Sequence, residues 1–242
     1  FARAFSIQYL DRENIQQFCQ TTSWGLSTRF VGAIIMVHGD DQGLVMPPRL
    51  APYQAVLVPI YKNDQERSVV MEQVETTRQA LEGNRIRLRI DDRQEVTPGF
   101  KFNDWEMRGV PVRVEIGPKD VSRGTVTLAR RDQRSRQSVS QGSVAEAMDA
   151  LLADIQRSML ERAREFQRQN TYQPEDYDGF KAVVQSGWAE VWWCGDPADE
   201  IRIQQDTKAT NRVILLDQKA GEGRCIVCGK VARERAIFAR AY

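Results

Sequence analysis

The sequence predicts an α/β (α+β) chain in three consecutive parts, and three observations carry that expectation. The run YQAVLVPI is apolar on both faces and is followed by a helical period and then by alternating strands, the pattern of a mixed sheet covered by helices. A long amphipathic stretch begins at Val144. Beyond it, short strand-like runs surround a group of cysteines. We place the parts at residues 1–52, 53–142 and 143–242.

In the first part, FSIQYL alternates like a strand. LSTRFVGAIIMVHG reads as a helix starting near Ser27, apolar nearly all round and therefore expected to be buried. HGDDQG reads as a turn, and GLVMPPRLAP as a short strand closed by prolines.

In the second part, YQAVLVPI is a strand. Val70, Val74 and Leu81 mark a helix over residues 64–82, stopped by Gly83. RIRLRID, VPVRVEI and GTVTLAR alternate as further strands, and RRDQRSR reads as a hairpin tip. In the third part, Ser143 and Glu146 form a capping-box pattern. Val144, Met148, Leu151, Ile155, Met159 and Phe166 then recur at helical spacing. GWAEVWWCG, NRVILLDQ and RAIFARAY read as strands around Cys-bearing turns.

Composition narrows the function classes. Apolar residues make up 41% and charged residues 28%, a globular balance. No apolar run approaches the roughly 20 residues that cross a bilayer, and no signal-peptide pattern is present. The opening FARAFSIQYL already lies inside a strand pattern, so a truncated chain is expected. The net charge of +1 gives no global basic field. Residues 85–136, however, carry thirteen Lys or Arg against eight Asp or Glu. That bias suits either a solvated face or a polyanion contact. Four cysteines in a chain this long do not make a disulfide scaffold. A reduced, cytoplasmic protein with a metal site is the expectation.

The chemistry-bearing residues begin at Trp24 and Gly25. A glycine there permits close backbone approach, and the following helix start offers unpaired N–H groups to an anion. Arg29 on the first turn adds a planar cation suited to phosphate. Local physics alone also allows Arg29 to be a surface cation and Trp24 a core residue. His38, the single histidine, reads as a turn residue. Asp40 and Asp41 read as a solvated turn, and Arg49 as structural.

SWGLSTR, MVHGDDQGLVMPPRLAP and KFNDWEMRGVPVRVEIGPKD together resemble the prolyl-tRNA synthetases of the archaeal and eukaryotic type, which are class II aminoacyl-tRNA synthetases. The resemblance implies that residues 1–52 end an antiparallel catalytic sheet and carry its third motif, with motifs 1 and 2 upstream of Phe1. Arg29 and Ser27 then match ATP-binding positions, and Trp24 with Gly25 matches the wall of the proline and adenylate pocket. It implies ATP, Mg²⁺, proline and tRNA(Pro) as ligands, and a homodimer for the full-length enzyme. Residues 53–142 correspond to an anticodon-binding domain. Arg93, Lys101, Glu115 and Lys119 are the expected anticodon contacts, with Glu115 accepting from guanine donors. A non-catalytic tRNA-binding module is the alternative reading.

Cys225 and Cys228 form a C-x-x-C, with Cys194 about thirty residues earlier, a two-knuckle spacing for tetrahedral Zn²⁺. The related synthetases place a second cysteine five residues after the one matching Cys194, where this chain has Asp199. A carboxylate is a competent zinc ligand, so Cys194, Asp199, Cys225 and Cys228 are the expected metal set. A degenerate site remains the alternative. The resemblance also assigns a C-terminus directed at the active site, at Tyr242.

Overall fold

The structure, a computed structural model, describes residues 1–218 and 220–241; the expectation placed on Tyr242 lies outside them. The chain divides into two compact units, Phe1–Ala153 and Asp154–Tyr242. Among the described residues no helix is long and apolar enough to cross a membrane.

The first unit opens with an antiparallel ribbon, β1 (Gln8–Leu10) and β2 (Gln16–Phe18). Its turn is held by Asp11, whose carboxylate accepts from the backbone of Glu13 and Ile15. Helix α1 (Arg29–His38) follows, two residues later than expected and including His38. The expected burial is not found: no α1 residue is buried, and Phe30, Val31, Ile35, Met36 and Val37 are exposed. An all-round apolar helix needs cover on every side, and the described residues near it do not supply that. The expected strand after Gly43 is corrected too. Leu44 and Met46 donate to the carbonyls of Met107 and Gly109, at 3.0 and 3.1 Å, so the segment is extended but bonds to a loop rather than a sheet.

The main sheet of this unit builds from β3 (Ala55–Pro59), buried at every position. Helix α2 (Asp64–Gly83) crosses back from it, capped by Asn63 accepting from Glu66 N and burying Val70, Val74 and Leu81. Then come β4 (Leu88–Ile90), α3 (Pro98–Met107), β5 (Val112–Ile116), α4 (Pro118–Arg123), β6 (Thr125–Arg130) and β7 (Arg136–Ser140). The order is β4-β3-β5-β6-β7, parallel among the first three and antiparallel beyond. Val56 and Val58 pack with Trp105 and Val110. Strand β7 (RQSVS) escaped the sequence reading because its exposed, polar pattern has no apolar alternation.

Helix α5 (Val144–Gln169) spans the boundary between the units and buries Val144, Met148, Ile155 and Met159. Ser143 ends a one-turn 3-10 helix before it, and its hydroxyl donates to the Ser140 carbonyl instead of serving the expected capping box. The second unit continues with β8 (Thr171–Tyr172), α6 (Tyr177–Val183), β9 (Trp188–Trp193), α7 (Pro197–Thr207), β10 (Ala209–Ile214), β11 (Gly223–Arg224), β12 (Val231–Ala232) and β13 (Glu234–Arg240). Its sheet runs β10-β13-β9-β8 around Phe180, Trp193, Ile203 and Phe238. Helix α7 was legible and missed: Asp196 accepts from Ala198 N and Pro197 takes the first helical position, a standard start signal.

Candidate functional site

Three local elements bring the cysteines together. Cys194 follows the last residue of β9. Asp199 sits on the first turn of α7. Cys225 and Cys228 lie in the turn joining β11 to β12, tightened by Cys225 N to Lys230 O at 2.8 Å and Gly229 N to Cys225 O at 2.9 Å. Gly229 has φ +67°, a left-handed turn conformation that glycine adopts without cost. Asp196 meets Lys230 at 3.1 Å and ties the helix start to the turn.

The four ligand atoms of Cys194, Asp199, Cys225 and Cys228 all lie within 4.8 Å of one another. Cys194 Sγ is 3.3 Å from Asp199 Oδ2 and 3.8 Å from Cys228 Sγ, and Cys225 Sγ is 3.7 Å from Asp199 Oδ2. A tetrahedral ion with bonds of about 2.1–2.3 Å requires edges of roughly 3.5–3.8 Å. The residues present therefore fit zinc in number, donor type and spacing.

The four groups crowd one another electrostatically. Burial chiefly pushes the Cys194 thiol up to about 12, with Cys225, Asp199 and Cys228 adding to it. Asp199 beside it raises Cys228. Burial also opposes ionisation of Cys225, but backbone N–H groups of Cys228, Val227 and Cys194 outweigh it and lower the thiol. A divalent cation relieves that crowding. Asp196 and Glu200, the other nearby carboxylates, lie outside the four-residue group.

A second arrangement occupies the sheet face beside α3. The register aligns Val56, Arg113, Ala129 and Arg136 in one cross-strand row, and Val58, Glu115, Thr127 and Ser138 in the next. Arg113 bonds Glu115 at 2.9 Å and Glu106 at 2.7 Å, and lies 4.0 Å from the centre of the Phe102 ring. Arg136 reaches Glu115 at 3.4 Å. Glu106, Arg113 and Arg136 border an open cavity of about 320 Å³, lined also by Trp105, Arg131 and Arg134. Arg131 is fixed by Asp40, at 2.6 and 2.8 Å. Asp40 is thus an exposed turn residue, as expected, that also serves as an ion-pair partner, and Arg131 chiefly holds its carboxyl well below the usual range.

The four expected anticodon contacts are not gathered there. Arg93 is held by Asp91 and Asp104 at 2.7 and 2.9 Å and stays about one-third exposed. Lys101 is corrected: it is 3% exposed and donates to the Asp91 carbonyl at 3.0 Å, because α3 turns it inward. Glu115 is corrected in part: it does not line the cavity, and its carboxylate serves Arg113 and Arg136, which do. Lys119 is exposed on α4 and does not line the cavity. Sequence alone did not single out Glu106 or Arg113; Arg131, Arg134 and Arg136 belong to the RRDQRSR run expected as a hairpin tip, which lies at the β6–β7 turn. The signal for Arg113 was the alternation in VRVEI, which places Arg113 and Glu115 on one face opposite the buried valines.

A third locality is the start of α1. Arg29 is its first residue, and the Ser27 carbonyl accepts from Phe30 N at 3.1 Å. Trp24 is 96% exposed, and Gly25 has open space where a side chain would stand. The described residues do not close a pocket around these four.

Residues 54–151 match the family described as "Anticodon binding domain", and residues 177–242 the family described as "Prolyl-tRNA synthetase, C-terminal". Proline–tRNA ligases from Roseiflexus sp., Chloroflexus aurantiacus and Salinibacter ruber are 52%, 50% and 42% identical over the whole chain, which covers 51%, 51% and 50% of each. A solved prolyl-tRNA synthetase from Cryptosporidium parvum, complexed with L-proline and AMP, aligns over the whole chain and 52% of its own, with a TM-score of 0.89 and 30% identity. The chain thus spans about half the length of the curated relatives it matches.

Proposed function

We propose, from the prolyl-tRNA synthetase relatives and the two family models it matches, that this chain provides the tRNA-reading part and one wall of the ATP site of an enzyme that charges tRNA(Pro) with proline. The reaction has two steps. The proline carboxylate attacks the α-phosphate of ATP, releasing pyrophosphate and forming prolyl-adenylate. The terminal ribose hydroxyl of the tRNA then takes the prolyl group and AMP leaves. Both steps depend on positioning and charge stabilisation. Arg29, on a helix start that already favours anions, steadies the nucleotide's phosphate charge. Ser27 helps hold the nucleotide, and Trp24 with Gly25 lines the amino-acid pocket. Mg²⁺, when bound, shares the phosphate charge.

The observation that carries the tRNA reading is the Arg-Glu face beside α3, inside the residues that match an anticodon-binding domain. Unstacked bases are read by edge hydrogen bonds and by stacking. Guanidinium groups of Arg134 and Arg136 serve base acceptors, Glu106 serves amino and imino donors, and Trp105 supplies an aromatic wall. Arg93 and Lys119, both accessible to solvent, add contacts around it. We place the enzyme in the cytoplasm as a homodimer, with zinc held by Cys194, Asp199, Cys225 and Cys228. That zinc fastens the turn between β11 and β12 to α7 and takes no part in the chemistry.

The test compares wild type, Arg134→Ala and Arg136→Ala in tRNA(Pro) binding at fixed salt. Both arginines are more than half exposed, so folding is expected to survive. Each loss should weaken binding roughly 5- to 100-fold, the value of one good base contact. Unchanged affinity in both variants refutes the assigned face. In proline-dependent exchange of pyrophosphate into ATP by the full-length protein, Arg29→Ala should cost on the order of 10²–10³ in rate. A full-length protein that binds tRNA but shows no exchange is the non-catalytic module instead.

A further inference from the structure

We propose that Cys194 and Cys228 form a peroxide-sensitive thiol pair that closes to a single disulfide and ejects the metal ion. Three observations select this pair. First, Asp199 leaves three thiols where four donors meet, so no more than one disulfide can form within the cluster. Second, Cys228 is exposed, Cys194 is half-buried, and Cys225 is 3% exposed. An oxidant therefore reaches Cys228 first. Third, the Cys194 and Cys228 sulfurs already lie 3.8 Å apart. A disulfide needs about 2.05 Å, a closure of under 1 Å by each side chain. Cys225 is the poorest partner, because at 3% exposure it is the thiol an oxidant reaches least.

The step balances with hydrogen peroxide as the named oxidant. The Cys228 thiolate attacks one peroxide oxygen, the O–O bond breaks, and hydroxide leaves with the electron pair. The resulting sulfenic acid is then attacked at sulfur by Cys194, whose thiol gives up its proton to solvent. The S–S bond forms and a second hydroxide departs. Two protons from solvent convert both hydroxides to water, so two electrons pass from sulfur to peroxide. Only Cys225 and Asp199 then remain as donors, too few to keep zinc. A thiol reductant restores the site. The disulfide joins the end of β9 to the β11–β12 turn in place of the ion.

The pairing stands on sulfur geometry and accessibility, whereas metal ejection also rests on the zinc reading above, and the experiment separates the two. Metal content of the purified protein is measured first, then hydrogen peroxide is added stepwise. Zinc release is followed with a chromogenic chelator, and the disulfide is mapped by peptide mass spectrometry without reduction. Expected are a Cys194–Cys228 linked peptide, Cys225 still reduced, one zinc released per disulfide, and reversal by dithiothreitol. Cys228→Ser should give no linked peptide at a peroxide dose that links wild type, with Cys194 still reduced. A Cys225–Cys228 link, or sulfinic acids without any link, overturns the proposal. Absence of zinc before peroxide, with the Cys194–Cys228 link still formed, overturns the zinc reading and leaves the thiol pair standing.

Discussion

Asp91 organises its surroundings through a carboxylate that is almost fully buried. It accepts from Arg93 Nε at 2.8 Å, Arg93 NH2 at 2.7 Å and Trp105 Nε1 at 2.8 Å, while its carbonyl accepts from Lys101. Burial is the largest influence and opposes ionisation, but the bonds from Arg93 and Trp105 together outweigh it and hold the group at about 2. A depressed carboxylate stabilises the fold above its unfolded pKa near 4. That contribution fades as pH falls from about 4 through about 2 and amounts to about 2 kcal/mol. Thermal melts of wild type should show this loss, and Asp91→Asn should lack it; parallel acid profiles would remove Asp91 as its source. The same residue explains why Lys101 and Arg93 could not be placed from sequence. Both were visible as cations in a basic stretch, but neither their shared carboxylate nor the burial of Lys101 has a local signature.

Among the elements, the extended strip at residues 44–46 depends on two glycines. Gly109 has φ +73°, and a side chain there would stand 2.6 Å from the Leu44 carbonyl. Gly43 has φ +124° and is equally confined by the Met107 backbone. Gly109→Ala combines backbone strain with collision, so it should lower stability by about 2 kcal/mol or more. Urea denaturation measures the change, and a midpoint equal to that of wild type would show that the strip yields easily. The strip is polar in its bonding and apolar in sequence, which is why it reads as a strand. Its partner is a loop that only the folded chain brings alongside. In β5 the alternation was read correctly as a strand, while the significance of its other face, Arg113 and Glu115, emerged only from strand order. Neighbours β6 and β7 bring Ala129 and Arg136 into the same row.

At the scale of the molecule, the two compact units have different sources of stability. The first has a five-stranded sheet with α2 packed on it and fully buried valines and leucines. The second is smaller, and its cysteine cluster joins three of its elements. Small domains depend more on such fastenings. On the proposed zinc reading, a chelator should therefore lower the calorimetric transition of the second unit and leave that of the first in place. A melt unchanged by chelation and by added zinc would show that the cluster carries no folding energy.

The sequence by itself determined the mixed α/β class, the central strands, α2, α5 and the candidate grouping of the three cysteines. Apolar periodicity and cysteine spacing are local properties that survive in one dimension. The nearness of Asp199 to the three cysteines was expected from the resemblance, which places a fourth donor five residues after Cys194. Tertiary structure decided the rest. It left α1 exposed, turned Lys101 inward, engaged Asp40 with Arg131, and assembled a polar face from α3, β5 and the β6–β7 hairpin. Each of those outcomes depends on which distant surface covers a residue, and a residue's own neighbours in sequence carry no record of that.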